Sequence, residues 1–208
     1  MAVISPLVFV VDDDPSVRTS LSRLLESSGY VVEAFASARA FLAPEPHPGP
    51  CCLVLDVRMP GMTGIELQET LAAGERRMSI VFVTGHIDVP MTVKAMKGGA
   101  VDLLTKPVDA KDLIEAIQRA MAKDVEDRSA ESRVTDIQRR VKTLTGREME
   151  VFALVVTGML NKQIASALGI GEKTVKVHRA RVMEKMLAGS VAELVRLADG
   201  MGVIVPKS

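Results

Sequence analysis

Nowhere in the 208 residues does an apolar run approach the roughly 18 residues a helix needs to cross a bilayer. The opening Met1-Ala-Val-Ile-Ser-Pro6 has neither a basic start nor a small-residue cleavage site, so no secretory signal is expected, and the cytoplasm is the expected compartment. Cysteine is scarce: Cys51 and Cys52 stand side by side, and neighbouring strand residues point to opposite faces. They read as two small buried hydrophobes, with a redox or metal role as the alternative. Three scattered histidines add no zinc-like spacing. There are no internal repeats and no low-complexity tracts. Net charge is also absent, with 26 Lys+Arg against 26 Asp+Glu, but the balance is uneven. Residues 1–121 hold 11 basic and 15 acidic side chains (−4), and residues 122–208 hold 15 and 11 (+4). An acidic half joined to a basic half suggests two jobs, the basic one being the candidate for nucleic acid. With 48% hydrophobic and 25% charged residues the chain is globular, and its length suits one or two domains.

In the first half, short apolar runs alternate with helical stretches. Strands are expected at Leu7–Val11, Val31–Phe35, Cys52–Leu55, Ile80–Val83 and Val101–Thr105. Between them, Val17, Leu21, Leu24 and Leu25 form a helical stripe after Pro15, closed by Gly29. Further helices are expected at Ser37–Leu42, Gly64–Leu71, Val89–Met96 and Ala110–Met121. Ala43-Pro-Glu-Pro-His-Pro-Gly-Pro50 can be neither helix nor central strand. Five strands alternating with five helices predict a doubly wound parallel α/β domain over residues 1–121.

Four of the apolar runs, read as fully buried strands, end in a reactive polar residue. Leu7–Val11 leads into Asp12 and Asp13, Leu53–Leu55 into Asp56, Ile80–Val83 into Thr84, and Val101–Thr105 into Lys106. In an open parallel sheet the residues past the carboxyl ends of the strands gather in one crevice. Three carboxylates that close repel each other unless a cation intervenes. Mg²⁺ suits an all-oxygen set: Asp12, Asp13, Asp56 and the backbone carbonyl of Arg58, with Mn²⁺ as a substitute. Asp56 is then the nucleophile that forms an acyl phosphate, Lys106 pairs with one phosphoryl oxygen, and Thr84 donates to another. Taken singly, each of these residues reads as a solvated turn; it is their joint placement that points to a site.

Residues 122–143 turn charged, without proline or glycine, and read as a helical linker continuing the fifth helix. Val134, Ile137, Val141 and Leu144 are spaced either to seed a short coiled coil between two chains or to pack on their own domain. Residues 144–208 read as four short helices. Thr145-Gly-Arg-Glu148 and Ser190-Val-Ala-Glu193 match capping boxes, Asn161 is placed to cap the helix Lys162–Leu168, and Gly169 precedes the helix Glu172–Leu187. On that helix Val175, His178, Val182 and Met186 share a face expected to pack on Ile164, Leu168 and Ile170, so His178 reads as a core histidine. Lys173, Lys176, Val177 and Ala180 lie roughly opposite. A basic face with one Val and one Ala suits the major groove: Lys176 for guanine or phosphate, Val177 for a thymine methyl. Arg179 and Arg181 flank it for phosphates. Thr174, Asn161 and Lys162 complete the candidate DNA contacts. Gly171 is an adequate N-cap that lacks a side-chain acceptor.

The segments Val-Val-Asp12-Asp13-Asp14, Leu-Asp56-Val-Arg-Met-Pro60-Gly-Met-Thr-Gly64, Thr84-Gly-His and Thr105-Lys106-Pro107 resemble the receiver domain of bacterial two-component response regulators over about residues 5–121. The stretch from Leu144 to Val182 resembles the four-helix helix-turn-helix of the LuxR/NarL class, and the two together resemble regulators of the FixJ type. The resemblance implies a flavodoxin-like fold with strand order 2-1-3-4-5, Mg²⁺, and phosphoryl transfer from a sensor histidine kinase to Asp56. It implies a cis Lys106–Pro107 bond, and homodimerisation on phosphorylation that presents two recognition helices to promoter DNA. By the same resemblance the switch and dimer face comprises His86, Val89, Val93, Met96, Leu103 and Pro107, and Arg58 and His86 flank the phosphate entrance. Leu103 departs from the pattern, since many receivers carry Tyr or Phe there; switching is then expected to rest more on Thr84 and the loop after it.

The same residues admit rival readings. A metal-dependent phosphatase would carry a second Asp two residues after Asp56, where Arg58 stands. A phosphotransfer or protein-binding module would dock its basic tail on a protein instead of DNA, and a phosphorylation-independent transcription factor would not need Asp56. The expected assignment is a non-enzymatic transcription regulator without a membrane segment.

Overall fold

The computed structural model of the chain describes residues 6–74, 78–85 and 88–200, which split after Arg128 into two compact units. In the first, β1 (Leu7–Val11), β2 (Val31–Phe35), β3 (Cys51–Asp56), β4 (Ser79–Thr84) and β5 (Asp102–Thr105) form one parallel sheet in the order β2-β1-β3-β4-β5. Between them run α1 (Pro15–Ser27), α2 (Ala38–Leu42), α3 (Gly64–Ala73) and α4 (Val89–Lys97), and α5 (Ala110–Val141) follows. The sheet separates two apolar layers, because alternate residues of each strand face opposite ways. Phe9, Leu53, Leu55 and Phe82 join Phe41 and Leu67 on one side, while Val8, Val10, Val54 and Val81 join Leu25, Leu113 and Ile117 on the other. The cysteines divide in the same way, Cys51 into the first layer and Cys52 into the second. Among the described residues neither forms a disulfide, and burial pushes the Cys52 thiol far above its ordinary range, so Cys52 is a packing group.

Burial follows position in the sheet. β1, β3 and β4 are buried along their whole length, whereas β5 is only half-buried and β2 is largely exposed. The expectation that the fifth apolar run is fully buried is therefore corrected: β5 has a single neighbour and forms an edge. The proline-rich stretch 43–50 carries neither helix nor strand. Among the described residues no helix is long and apolar enough to cross a membrane.

Where α5 passes the amino ends of the strands, the buried Asp124 carboxylate accepts from the Cys51 N–H at 3.0 Å and from Arg128 Nε at 2.6 Å. Arg128 also reaches the Pro48 carbonyl (3.4 Å) and the Cys51 sulfur (3.2 Å). One ion pair thus satisfies a buried amide at the start of β3 and ties the helix to the loop before it.

The second unit holds the end of α5 with α6 (Gly146–Val156), α7 (Asn161–Leu168), α8 (Glu172–Met186) and α9 (Val191–Asp199), around Phe152, Val155, Ile164, Val175, Val182, Met186 and Leu194. Ile137, Val141 and Leu144 pack on this core, the own-domain alternative of the two readings of that stripe. At Thr145 both halves of the capping box form. At Ser190 the hydroxyl accepts from Glu193 N–H, but the Glu193 carboxylate reaches the amide of Gly189 instead. Asn161 is the first residue of α7 and not its cap. Gln163 reaches back to the Leu160 N–H at 2.7 Å, and the Asn161 carboxamide is engaged by Arg179 instead.

Glu148 is buried beside Lys185 Nζ (2.6 Å) and the Thr145 N–H (2.9 Å), which hold its carboxyl down at about 2 from an ordinary 4.5. A depressed acid contributes stability that is present above its unfolded-state value and lost as pH falls toward its folded one. Acid titration followed by circular dichroism is therefore expected to weaken the helical unit between about pH 4.5 and 2. Glu148→Gln should already lack that stability at neutral pH, and its curve should meet wild type near pH 2.

Candidate functional site

The register sets the carboxyl ends of the strands level. Val11 pairs with Leu55, Asp56 with Val83, and Thr84 with Thr105, so Asp12, Asp56, Thr84 and Lys106 follow one another across the same edge of the sheet. Asp12 is 1% exposed and held on every side. Its N–H donates to the Phe35 carbonyl (3.2 Å), and its own carbonyl accepts from the Arg18 guanidinium (2.7 Å). One carboxylate oxygen accepts from the Asp14 N–H (2.9 Å) and the other from Lys106 Nζ (2.6 Å). The same ammonium donates to Asp56 Oδ1 at 3.1 Å, while Asp56 Oδ2 accepts from the Arg58 N–H at 3.1 Å. Asp13 is exposed, and no described residue engages its carboxylate. Asp12, Asp13 and Asp56 each offer an oxygen within 4.8 Å of the other two.

Burial raises the Asp56 carboxyl above its ordinary value of 3.8; the Lys106 hydrogen bond and charge pull it back, and Asp12 adds repulsion. For Lys106, burial would lower the ammonium, but the hydrogen bonds to Asp12 and Asp56 outweigh it and raise its pKa. The site therefore presents a charged lysine between two carboxylates, one of them reluctant to ionise. An all-oxygen set of this kind fits a hard divalent cation better than a soft metal.

The loop after β3 is kept close to α3 by a glycine. Gly64 N–H donates to the Val57 carbonyl at 2.9 Å, and a Cβ on Gly64 would lie 2.2 Å from the Asp56 carbonyl oxygen. Thr84 is the last residue of β4 and fully buried. The Lys106–Pro107 bond is cis, as the resemblance implied. On α4, Val89, Val93 and Met96 are 76%, 45% and 45% exposed, an open apolar face. Pro107 is exposed, whereas Leu103 is half-buried against the core layer of Phe9 and Phe82. His86 lies outside the described residues.

On α8, Val175, Val182 and Met186 are buried against Ile164, with Leu168 and Ile170 at the margin, as the periodicity predicts. His178 is half-buried; its Nδ1 is shielded and has no hydrogen-bond partner among the described residues. Lys173, Thr174, Lys176, Val177, Ala180 and Arg181 are exposed, as is Lys162 on α7. Arg179 differs: its guanidinium donates to Asn161 Oδ1 at 2.8 Å, bridging α7 and α8.

Two contributions were missed from sequence. Asp14, the third acid of the run, caps α1 by accepting from the Ser16 and Val17 amides, and so is turned away from the acidic cluster. Arg18 reaches the Asp12 carbonyl. A cation this early in a helix opposes the dipole, a signal that its partner lies outside the helix.

Comparison with known proteins agrees with this geometry. Residues 8–118 match the response regulator receiver domain, and residues 142–198 match the bacterial regulatory proteins of the luxR family. Nodulation protein W of Bradyrhizobium diazoefficiens is 46% identical over 197 residues, covering 95% of this chain and 87% of its own. Transcriptional regulatory protein FixJ of Azorhizobium caulinodans is 45% identical over 196 residues, covering 94% and 93%. Among solved structures, the response regulator StyR is 48% identical and superposes with a TM-score of 0.82, covering 94% of this chain and 98% of its own.

Proposed function

This chain belongs to the response regulators that join a receiver domain to a luxR-family DNA-binding domain, which regulate transcription according to phosphorylation, and on that premise we propose that Asp56 is its phosphoacceptor. The phosphoryl donor is a histidine of a sensor kinase. An Asp56 oxygen forms the new bond to phosphorus as the bond to the donor nitrogen breaks. Asp12, Asp13, Asp56 and the Arg58 carbonyl hold Mg²⁺, which neutralises charge on the reacting oxygens when bound; Mn²⁺ can take its place. Lys106, now shared between Asp12 and Asp56, is within reach of a phosphoryl oxygen on Asp56, and the Thr84 hydroxyl donates to another. The convergence of Asp12, Asp13 and Asp56 within 4.8 Å, with Lys106 between two of them, is the observation that carries this.

The receiver occupies residues 1–121, the linker 122–143 and the DNA-binding domain 144–208. Phosphorylation adds about −1.5 to −2 charges at Asp56. With Thr84 and Lys106 drawn to the new group, the face of Val89, Val93, Met96, Leu103 and Pro107, with His86, favours a homodimer. Two copies of α8 then meet two half-sites of promoter DNA. Lys176 and Val177 read base edges; Lys173, Thr174, Ala180 and Arg181, with Asn161 and Lys162, line the contact, and Arg179 is steadied by Asn161. The protein acts in the cytoplasm, as an acceptor and not a turnover enzyme. With acetyl phosphate and Mg²⁺, wild type is expected to gain the mass of one phosphoryl group and to retain promoter DNA more tightly. Asp56→Asn should do neither, and labelling that survives this substitution would exclude Asp56.

A further inference from the structure

We propose that Arg18 is a positioning residue for the phosphoryl-transfer site: by holding the Asp12 carbonyl it fixes the turn that presents Asp13, and so sets how tightly the carboxylates grip a divalent cation. The proposal deepens, and rests on, the assignment of Asp56 as phosphoacceptor.

Residues 12–14 must do three things at once. Asp12 faces inward to Lys106, Asp14 turns back to cap α1, and Asp13 is left exposed, its carboxylate engaged by none of the described residues. The contacts that shape this turn are mostly local. Asp14 N–H donates to Asp12 Oδ1, and Asp14 Oδ1 accepts from the amides of Ser16 and Val17 and from the Ser16 hydroxyl. The Asp12 N–H is tied to β2 through the Phe35 carbonyl. The Asp12 carbonyl begins the peptide unit that leads into Asp13, and among the described residues one side chain holds it, Arg18 at 2.7 Å.

What Arg18 does with its charge distinguishes positioning from neutralisation. Next to three clustered carboxylates, a guanidinium needed only as a counter-charge would pair with one of them. Arg18 makes no ion pair among the described residues, and the pairs to Asp12 and Asp56 are both made by Lys106. It donates instead to a peptide carbonyl. It does so from the amino-terminal part of α1, where the helix dipole disfavours a cation.

The two roles predict opposite signs. Loss of a nearby positive charge alone would tighten binding of a divalent cation. Loss of a charge-assisted hydrogen bond that orders the turn would weaken it, by about tenfold for a bond of ordinary strength. The test is calorimetric titration of the full chain with Mg²⁺ alone, without a phosphodonor, on wild type, Arg18→Met and Arg18→Lys, each with a melting curve. We expect about tenfold weaker Mg²⁺ binding in Arg18→Met and recovery of most of the loss in Arg18→Lys, which keeps a donor. Asp56 labelling by acetyl phosphate should slow in Arg18→Met at limiting Mg²⁺ and return to the wild-type rate at saturation. Arg18→Leu, which likewise has no donor, takes the place of the Met variant if that one does not fold. Equal or tighter Mg²⁺ binding in the folded neutral variant overturns the proposal. A wild-type chain that neither binds Mg²⁺ nor labels at Asp56 would overturn the phosphoacceptor assignment itself, which is a separate outcome.

Discussion

Gly64→Ala is expected to cost about 1–3 kcal/mol of stability, the usual range for overpacking, and to slow phosphoryl labelling of Asp56 by at least about tenfold. The added methyl group would stand 2.2 Å from the Asp56 carbonyl oxygen and 3.1 Å from the Asp56 carbonyl carbon and Val57 Cα. All three are backbone atoms, so no side-chain rotation relieves the clash. The amide of Gly64 is bonded to the Val57 carbonyl, so α3 cannot retreat without breaking that bond. The end of β3 and the start of the loop after it must give way instead, and that strand end carries the reactive carboxylate. Displacements of about 1 Å at a reacting group can cost on the order of a hundredfold in rate. Gly61→Ala is the control. Its φ of +82° penalises a side chain, but the space around it is open, so it should lose stability while labelling proceeds at the wild-type rate. Denaturant unfolding and intact-mass labelling separate the two variants, and wild-type behaviour of Gly64→Ala would rule out the close approach.

Asp56→Asn should abolish labelling and yet stabilise the metal-free protein at neutral pH. Burial raises the Asp56 carboxyl above 3.8, so the folded state resists its ionisation. For an acid shifted this way, stability is fully present below the unfolded-state value and lost as pH rises through the folded one. Wild type therefore carries a penalty above about pH 4 that an amide does not, while Lys106 keeps its 2.6 Å contact with Asp12 in the variant. Thermal melts in chelator should show Asp56→Asn above wild type at pH 7 and the gap closing toward pH 4. The site is then an instance of stability given up for reactivity. A variant that melts lower than wild type at pH 7 would mean that the lost Lys106 contact outweighs the relieved charge.

Most of the first unit was legible because its signals are periodic and redundant. Apolar runs placed all five strands to within about a residue at each end, and the polar residues after them converge where parallel topology requires. The buried face of α8 was legible for the same reason. Features that depend on one side chain choosing among several partners were not. Asn161 is a good capping residue by type, but Arg179 claims its carboxamide, and Gln163 takes over at the helix start. Asp14 looked equivalent to its two neighbours until the start of α1 drew it away. Arg18 lies off the apolar stripe of α1, and nothing in spacing alone says that its target is a carbonyl six residues back. The fifth apolar run was read as buried because hydrophobicity does not report whether a strand has one neighbour or two.

The clamp of Asp124 and Arg128 on Cys51 and Pro48 has a practical consequence for engineering. A fragment ending at Met121 would lose the Asp124 hydrogen bond to the Cys51 amide together with the Arg128 contacts, whereas one ending just after Arg128 keeps them all. Chimaeras that graft this input module onto a foreign output should therefore be spliced downstream of Arg128, and helical-phase insertions belong there too.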